Sequence, residues 1–162
     1  MKIRVILLLA GALVVFGGVN WQIAVKERLR TGGETVYLPL APVDPRSLMQ
    51  GDYMALNFDL ANRIRGQLGD TPADGPYVAI LLLDSRRVGG FKRLDNGSPL
   101  GPGEIRFRFR VRDGLPWLGT NAFFMQEGAG ERYSPARFGE FHVNESGEAM
   151  LVDLRDENLR KL

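Results

Sequence analysis

A short loop-forming segment carries the polar side chains best placed to do chemistry. Between Pro42 and Tyr53 the chain holds the carboxylates of Asp44 and Asp52 and the guanidinium of Arg46. These groups can bind a ligand, or they can pair with one another and with loop amides. The first alternative predicts a hydrolase or ligand-binding protein with Arg46 and Asp52 as polar anchors. The second predicts a folding element, which we favour because Pro/Asp/Gly loops are common scaffolding.

A second candidate surface is a row of arginines. They lie at every second position of a nine-residue segment, where strand geometry places side chains on one face about 7 Å apart. The four are Arg106, Arg108, Arg110 and Arg112. We favour a solvated face paired with acidic residues of neighbouring strands. The alternative is contact with an anionic partner, such as lipid head groups or an acidic protein surface.

Other kinds of site are excluded or disfavoured by the residues available. The chain has one histidine, His142, and no cysteine, so multi-histidine and thiolate metal sites and disulfides are excluded. His142 alternates with Phe141 and Val143 in a predicted strand, which is typical of a surface or half-buried imidazole. Acidic and glycine spacings match neither a calcium loop nor a phosphate-binding loop. We expect no metal and no cofactor, and the sequence favours a non-enzymatic protein while leaving activity open.

The charge balance argues against nucleic acid as a partner. The chain has 21 basic and 19 acidic residues, a net charge of +2, and both surplus charges are Lys2 and Arg4. The rest of the chain is therefore neutral overall, without the basic surface that binds phosphate backbones.

An apolar N-terminal segment predicts a membrane span and the side of the membrane on which the rest of the chain lies. Residues 5–25 contain no charged side chain, and about 20 such residues cross a hydrocarbon core of about 30 Å as a helix. Lys2 and Arg4 precede it, which favours a cytoplasmic N-terminus, and Trp21 suits the lipid interface. We predict a single-pass anchor that contacts the bilayer through residues 5–25. The C-terminal domain would then lie in the periplasm, outside the inner (cytoplasmic) membrane.

A cleaved signal peptide is the alternative interpretation of this segment. Gly17 and Gly18 supply small residues that resemble a cleavage site. We favour the anchor because the apolar character continues to Val25 and passes directly into the helical sequence that begins at Lys26. The chain then divides into residues 1–30, comprising the cytoplasmic tip, anchor and juxtamembrane helix, and an extracytoplasmic domain over residues 31–162.

The outer domain has the pattern of a β-rich fold. Strands are predicted at 35–40, 53–58, 77–83, 88–94, 104–112, 121–125, 137–143 and 148–154, with a short helix at 59–67 capped by Asp59. The apolar run 77–83 should lie in the centre of a sheet and pair with 88–94. The fold class is mainly β: a single antiparallel sheet or sandwich, or a distorted barrel, with one or two short helices after one transmembrane helix.

The candidate loop also carries a family pattern. Gly51, Asp52, Tyr53 and Leu56, preceded by Asp44-Pro45-Arg46, resemble the signature of the GDYXXLXY family of bacterial membrane-anchored proteins, with Phe58 in place of the final tyrosine. The resemblance implies that the motif or binding residues are Asp44, Pro45, Arg46, Gly51, Asp52, Tyr53, Leu56 and Phe58. It also implies a polytopic integral membrane protein as partner and no defined activity. We therefore expect a cell-envelope accessory or interaction protein, with the envelope hydrolase or ligand-binding protein as alternative.

Replacing Asp52 by alanine should destabilise the outer domain. A carboxylate that follows Gly51 at a strand entrance is expected to accept hydrogen bonds from loop amides, and losing a charged acceptor costs roughly 1.5–3 kcal/mol. Thermal unfolding of residues 26–162 measures this effect. A variant that melts like the parent would contradict the folding role and redirect attention to ligand binding.

Overall fold

The protein consists of a long N-terminal helix followed by a mainly β domain. The computed structural model describes residues 2–41, 49–50, 53–69 and 72–162. Its helices are α1 (Lys2–Gly32), α2 (Asp59–Leu68) and α3 (Gly130–Tyr133). Its strands are β1 (Glu34–Pro39), β2 (Met49–Gln50), β3 (Tyr53–Ala55), β4 (Gly75–Leu83), β5 (Gly89–Leu94), β6 (Glu104–Arg112), β7 (Leu115–Trp117), β8 (Ala122–Phe124), β9 (Phe138–Val143) and β10 (Ala149–Arg155).

Helix α1 leaves its apolar residues uncovered. All residues from 9 to 27 are exposed, and Leu9–Gly32 is long and apolar enough to cross a membrane. The helix ends at Gly32: the amide of Gly33 donates to the carbonyl of Leu29 at 3.1 Å, and the next residue begins β1. This length and composition are compatible with a membrane anchor and with a signal sequence.

Three antiparallel sheets build the domain. Their strand orders are β1-β9-β10, β5-β4-β6-β7 and β2-β3-β8. The first two sheets are linked at both ends: Tyr37 of β1 bridges Val88 beside β5, and the amide of Arg108 in β6 donates to the carbonyl of Gly147 at 2.7 Å. The strands thus curl into a half barrel around a common core. This confirms the prediction of a mainly β, antiparallel fold, and the curvature is that of the barrel alternative.

Aromatic rings form the centre of this core. Phe141 of β9 packs edge-on against Phe107 of β6 and against Phe58, with ring centroids 5.6 Å and 5.3 Å away. Phe107 and Phe141 have no exposed surface. Helix α2 adds Leu60 and Ile64, whose spacing of four residues places both on its buried side.

Gly139 of β9 is required by the ring above it. A Cβ atom at this position would lie 2.7 Å from Cε1 of Phe58 and 3.0 Å from Cδ1 of Leu151. The strand backbone and the Phe58 ring approach so closely that no side chain fits between them. Glycine in a strand interior is otherwise unfavourable, so its presence here marks a site of close approach.

Most predicted elements are present, and one helix start was assigned wrongly. Strand β6 has its predicted bounds, and β4 lies between β5 and β6 as predicted. Asp59 does not cap α2: the N-cap position is Phe58, without a side-chain cap, and Asp59 instead accepts from Nε of Arg63 at 2.6 Å. The carboxylate belongs to the first turn of the helix, where its negative charge interacts favourably with the partial positive charge of the helix N-terminus.

Substituting Gly139 by alanine should destabilise the domain by about 1–3 kcal/mol, the usual cost of overpacking a core. Gly66→Ala is the matched control, since a Cβ there meets nothing within 4 Å. In the interior of α2 the control should raise stability by up to about 1 kcal/mol. Denaturant unfolding measures both changes.

The double variant Phe58→Leu/Gly139→Ala should lose less than the sum of the two single changes, because the smaller side chain relieves the clash. Equal stability of Gly139→Ala and the parent would contradict this account of the core.

Candidate functional site

Only part of the predicted motif falls within the described residues. Asp44, Pro45, Arg46, Gly51 and Asp52 lie outside them. Tyr53, Leu56 and Phe58 are described and lie along one chain segment after that loop.

Two of the three described motif residues pack in the core of the domain. Leu56 and Phe58 are buried, with Met54 between Tyr53 and Leu56 also facing the core. Phe58 bridges Leu40 at the end of β1, so this segment ties the small sheet to the large ones. Met54, Leu56 and Phe58 alternate along the segment, as expected for residues on one face of an extended chain. Leu56 and Phe58 therefore contribute packing, and the binding role of the motif stays a prediction.

Tyr53 lies on the other side of the same segment. It pairs across the sheet with Phe124 of β8, and the two ring centroids are 5.9 Å apart. Phe124 is 76% exposed, although its neighbour Phe123 packs against Tyr133 with ring centroids 5.0 Å apart. Sequence reasoning did not single out Phe124. The sequence did contain a signal for it. Two consecutive phenylalanines in a strand point to opposite faces, so one of Phe123 and Phe124 is expected to face away from the core.

A groove of about 310 Å³ lies between this edge and the end of α1. We call it the Lys26 groove, after the one charged residue that lines it. Its lining residues are Lys26, Gly119, Thr120, Ala122, Phe123, Phe124, Ala149, Met150 and Leu151. The groove thus joins the helix, the edge strand β8 and the start of β10 in one mainly apolar surface.

The end of α1 is packed firmly on β9 and on the residues that precede β10. Leu29 is only 3% exposed, and Lys26 forms an ion pair with Glu148. Gly33 has no room for a side chain, since a Cβ would lie 2.9 Å from Cβ of His142 and 3.0 Å from the amide nitrogen of Val143. These contacts fix the direction in which the helix leaves the domain.

The single histidine takes part in this junction. Nδ1 of His142 donates a hydrogen bond to the carbonyl of Arg30 near the end of α1. Its Nε2 lies 3.8 Å from Oε1 of Glu140, which also forms an ion pair with Arg155. His142 is half-buried, as expected from its position in the strand. The surroundings explain its presence as a connection between helix and sheet.

The Glu140–Arg155 pair was not anticipated from the sequence. Glu140 of β9 is buried, and the guanidinium from β10 neutralises its charge across the sheet. Such a pair is costly to break from one side, because the remaining charge stays buried. Among the described residues, no group of three or more histidines or acidic residues is arranged to hold a metal ion.

The arginine row is paired with an acid at Arg106, contacts an aromatic ring at Arg112 and has two exposed members between them. Nε of Arg106 lies 3.4 Å from Oδ2 of Asp95, and the guanidinium of Arg112 lies 4.9 Å from the ring centroid of Trp117. Arg108 and Arg110 are exposed, and neither forms an ion pair in the part of the chain that the structure describes. Arg106 therefore fits the interpretation of a face paired with acidic residues. The guanidinium groups of Arg108 and Arg110 face solvent, so contact with an anionic partner stays a prediction.

An ion network surrounds the paired end. Lys92 and Arg93 of β5 both contact Glu104, and Arg93 also lies 3.8 Å from Asp95. The Lys92 ammonium and, after it, the amide of Gly101 lower the pKa of Glu104. The amide of Gly97 lowers the pKa of Asp95, and Arg106 lowers it further.

This network should make the domain sensitive to acid. A carboxylate with a depressed folded pKa stabilises the fold above its unfolded pKa, about 4.3 for glutamate, and this contribution is lost as the pH falls through the folded pKa. Glu104→Gln should melt lower than the parent at neutral pH, and its Tm should fall less between about pH 6 and about pH 3.

Tm measured across this range tests the prediction. Glu127→Gln, an exposed turn residue outside the network, serves as the control and should follow the parent. Parallel pH profiles of the parent and Glu104→Gln would contradict it.

Comparison with known proteins supplies a family. Searches of curated proteins and of solved structures each returned no match. The model of the family described as GDYXXLXY protein matches residues 15–154, from the middle of α1 to the penultimate residue of β10. Because this match covers most of the chain, the chain belongs to the GDYXXLXY family.

Proposed function

We propose that the protein is a membrane-anchored accessory protein of the bacterial cell envelope that docks on an integral membrane partner. Helix α1 crosses the inner membrane with its N-terminus in the cytoplasm, and the β domain lies outside. The observation that carries this proposal is the junction of a long exposed apolar helix with a folded domain, in which Leu29 is 3% exposed and Lys26 pairs with Glu148.

The residues around the apolar segment support this orientation. Lys2 and Arg4 precede the segment, and positive charge is retained on the cytoplasmic side. Trp21 is 70% exposed near the other end, where an interfacial aromatic residue belongs. Helix α1 continues to Gly32, so the span and the juxtamembrane residues form one rigid rod.

The short distance between span and domain favours a partner in the same membrane. Lys26 follows Trp21 by five residues, which is about 7.5 Å along a helix. No flexible linker follows, because β1 begins at Glu34 directly after Gly33. The domain is therefore held at the membrane surface, where it can reach the external loops of a polytopic protein and little that lies farther away.

Crosslinking in native membranes tests the proposal. A lysine-reactive crosslinker applied to cells that make the full chain should produce a larger adduct that contains an integral membrane protein, identified by mass spectrometry. Recovery of the chain only as a free monomer would contradict docking.

The same spectra distinguish an anchor from a signal peptide. Peptides from residues 5–25 should be recovered from the mature chain, because these residues stay in the membrane. A mature chain that lacks them would contradict the anchor and with it the proposed function.

A further inference from the structure

We infer that the Lys26 groove and Phe124 form a second contact with the bilayer, in which the phenyl ring enters the lipid head-group layer beside the anchor. This inference rests on the proposed membrane span of α1. It adds a lipid-binding surface on the domain itself.

Phe124 is the first observation behind it. Its exposed fraction of 76% is the highest among the large apolar side chains of the described residues, whereas Leu82 and Leu115 are 47% and 50% exposed. Phe124 does not lie in a loop. It belongs to strand β8 and pairs with Tyr53 of β3, so the backbone holds the ring in its exposed position. At the level of the head groups an exposed phenylalanine can bury its ring in the lipid interface, as the Trp, Phe and Leu side chains of interfacial helices do.

The height of the groove above the membrane is the second observation. Lys26 belongs both to α1 and to the groove that Phe124 lines. It stands about 7.5 Å along the helix from Trp21. Each head-group layer is about 5–8 Å thick, from a total bilayer of about 40–45 Å and a core of about 30 Å. A domain surface that contacts Lys26 therefore lies at the level of the head groups.

The composition of the groove is the third observation. Met150, Leu151, Ala122 and Ala149 give it an apolar wall, and its one charged lining residue is Lys26, whose side chain is 58% exposed. Lys26 is paired with Glu148, and because an exposed ion pair contributes little, lipid phosphate can replace this partner above the acyl chains. The larger groove, which includes Gly32 and Gly33, differs because five charged residues line it: Glu34, Arg87, Glu104, Arg106 and Glu145. Of the two grooves, only the Lys26 groove combines an apolar wall with a lining residue at the level of the head groups.

Nitroxide labelling of the full chain tests this inference, and the absence of cysteine makes single-cysteine variants simple to prepare. The labelled variants are Val14→Cys in the span, Phe124→Cys in the groove and Leu115→Cys as control. Leu115 is half exposed and lines, with Ala61 of α2, a neighbouring groove that includes neither Lys26 nor Phe124. Each variant is reconstituted in phosphatidylethanolamine/phosphatidylglycerol vesicles, and collision with oxygen and with a nickel chelate is measured.

The labels at Val14 and Phe124 should both show a raised ratio of oxygen to nickel collisions relative to the label at Leu115. A lipid-like ratio at Val14 with a Leu115-like ratio at Phe124 would overturn the inference and leave the anchor intact. Water-like ratios at both positions would overturn the span as well. A label at Phe124 that is wet in vesicles but protected in native membranes would overturn lipid contact in favour of a protein partner.

The labelled Phe124→Cys chain should melt close to the parent, because the ring is 76% exposed and its main loss is the cross-strand contact with Tyr53. Its Tm thus shows that the label reports position in a folded domain. If the label at Phe124 stays dry while the folded chain melts at the parent's Tm, the lipid contact is supported directly.

Discussion

Close packing at the end of α1 is the constraint on which the arrangement of the molecule depends. Gly33 has backbone and side-chain atoms of β9 within 3.0 Å of the position of a Cβ, and Leu29 fills the adjoining surface. A helix that ended in a free loop could point in any direction. Here the chain turns from helix to strand within one residue, so the axis of α1 and the sheet hold one relative orientation, and the surfaces beside Lys26 are placed by that orientation.

The regular parts of this fold were predictable because local pattern and tertiary position agree. Strand β6 alternates Ile, Phe, Phe and Val with arginines, and β4 is an apolar run that suits the middle of a sheet. The three residues of β7 carry too little pattern to be recognised, and α3 is a single turn. The start of α2 was misassigned because Asp59 can serve equally well as a cap or as a first-turn residue, and only the backbone of Phe58 decides between them.

The candidate surfaces were less accessible to sequence reasoning, since each combines residues far apart in the chain. Lys26, Phe124 and Met150 line one groove although more than 120 residues separate the first from the last. The Glu140–Arg155 pair is similar, because neither residue type predicts burial alone. The family pattern directed attention to residues 51–58, and its described half contributes to the core. Phe58 shows why a ring matters there: it covers Gly139, and that contact requires no hydroxyl group.

The β9–β10 hairpin contacts both helix α1 and strand β6. On one side Glu148 and His142 hold α1, and on the other the carbonyl of Gly147 accepts from Arg108 and joins the hairpin to β6. The hairpin therefore contacts the long apolar helix on one side and the seam of the half barrel on the other. If the proposed anchoring is correct, a force that tilts the helix would reach the bond at Gly147 through this one turn, so helix tilt and the seam of the half barrel would be coupled.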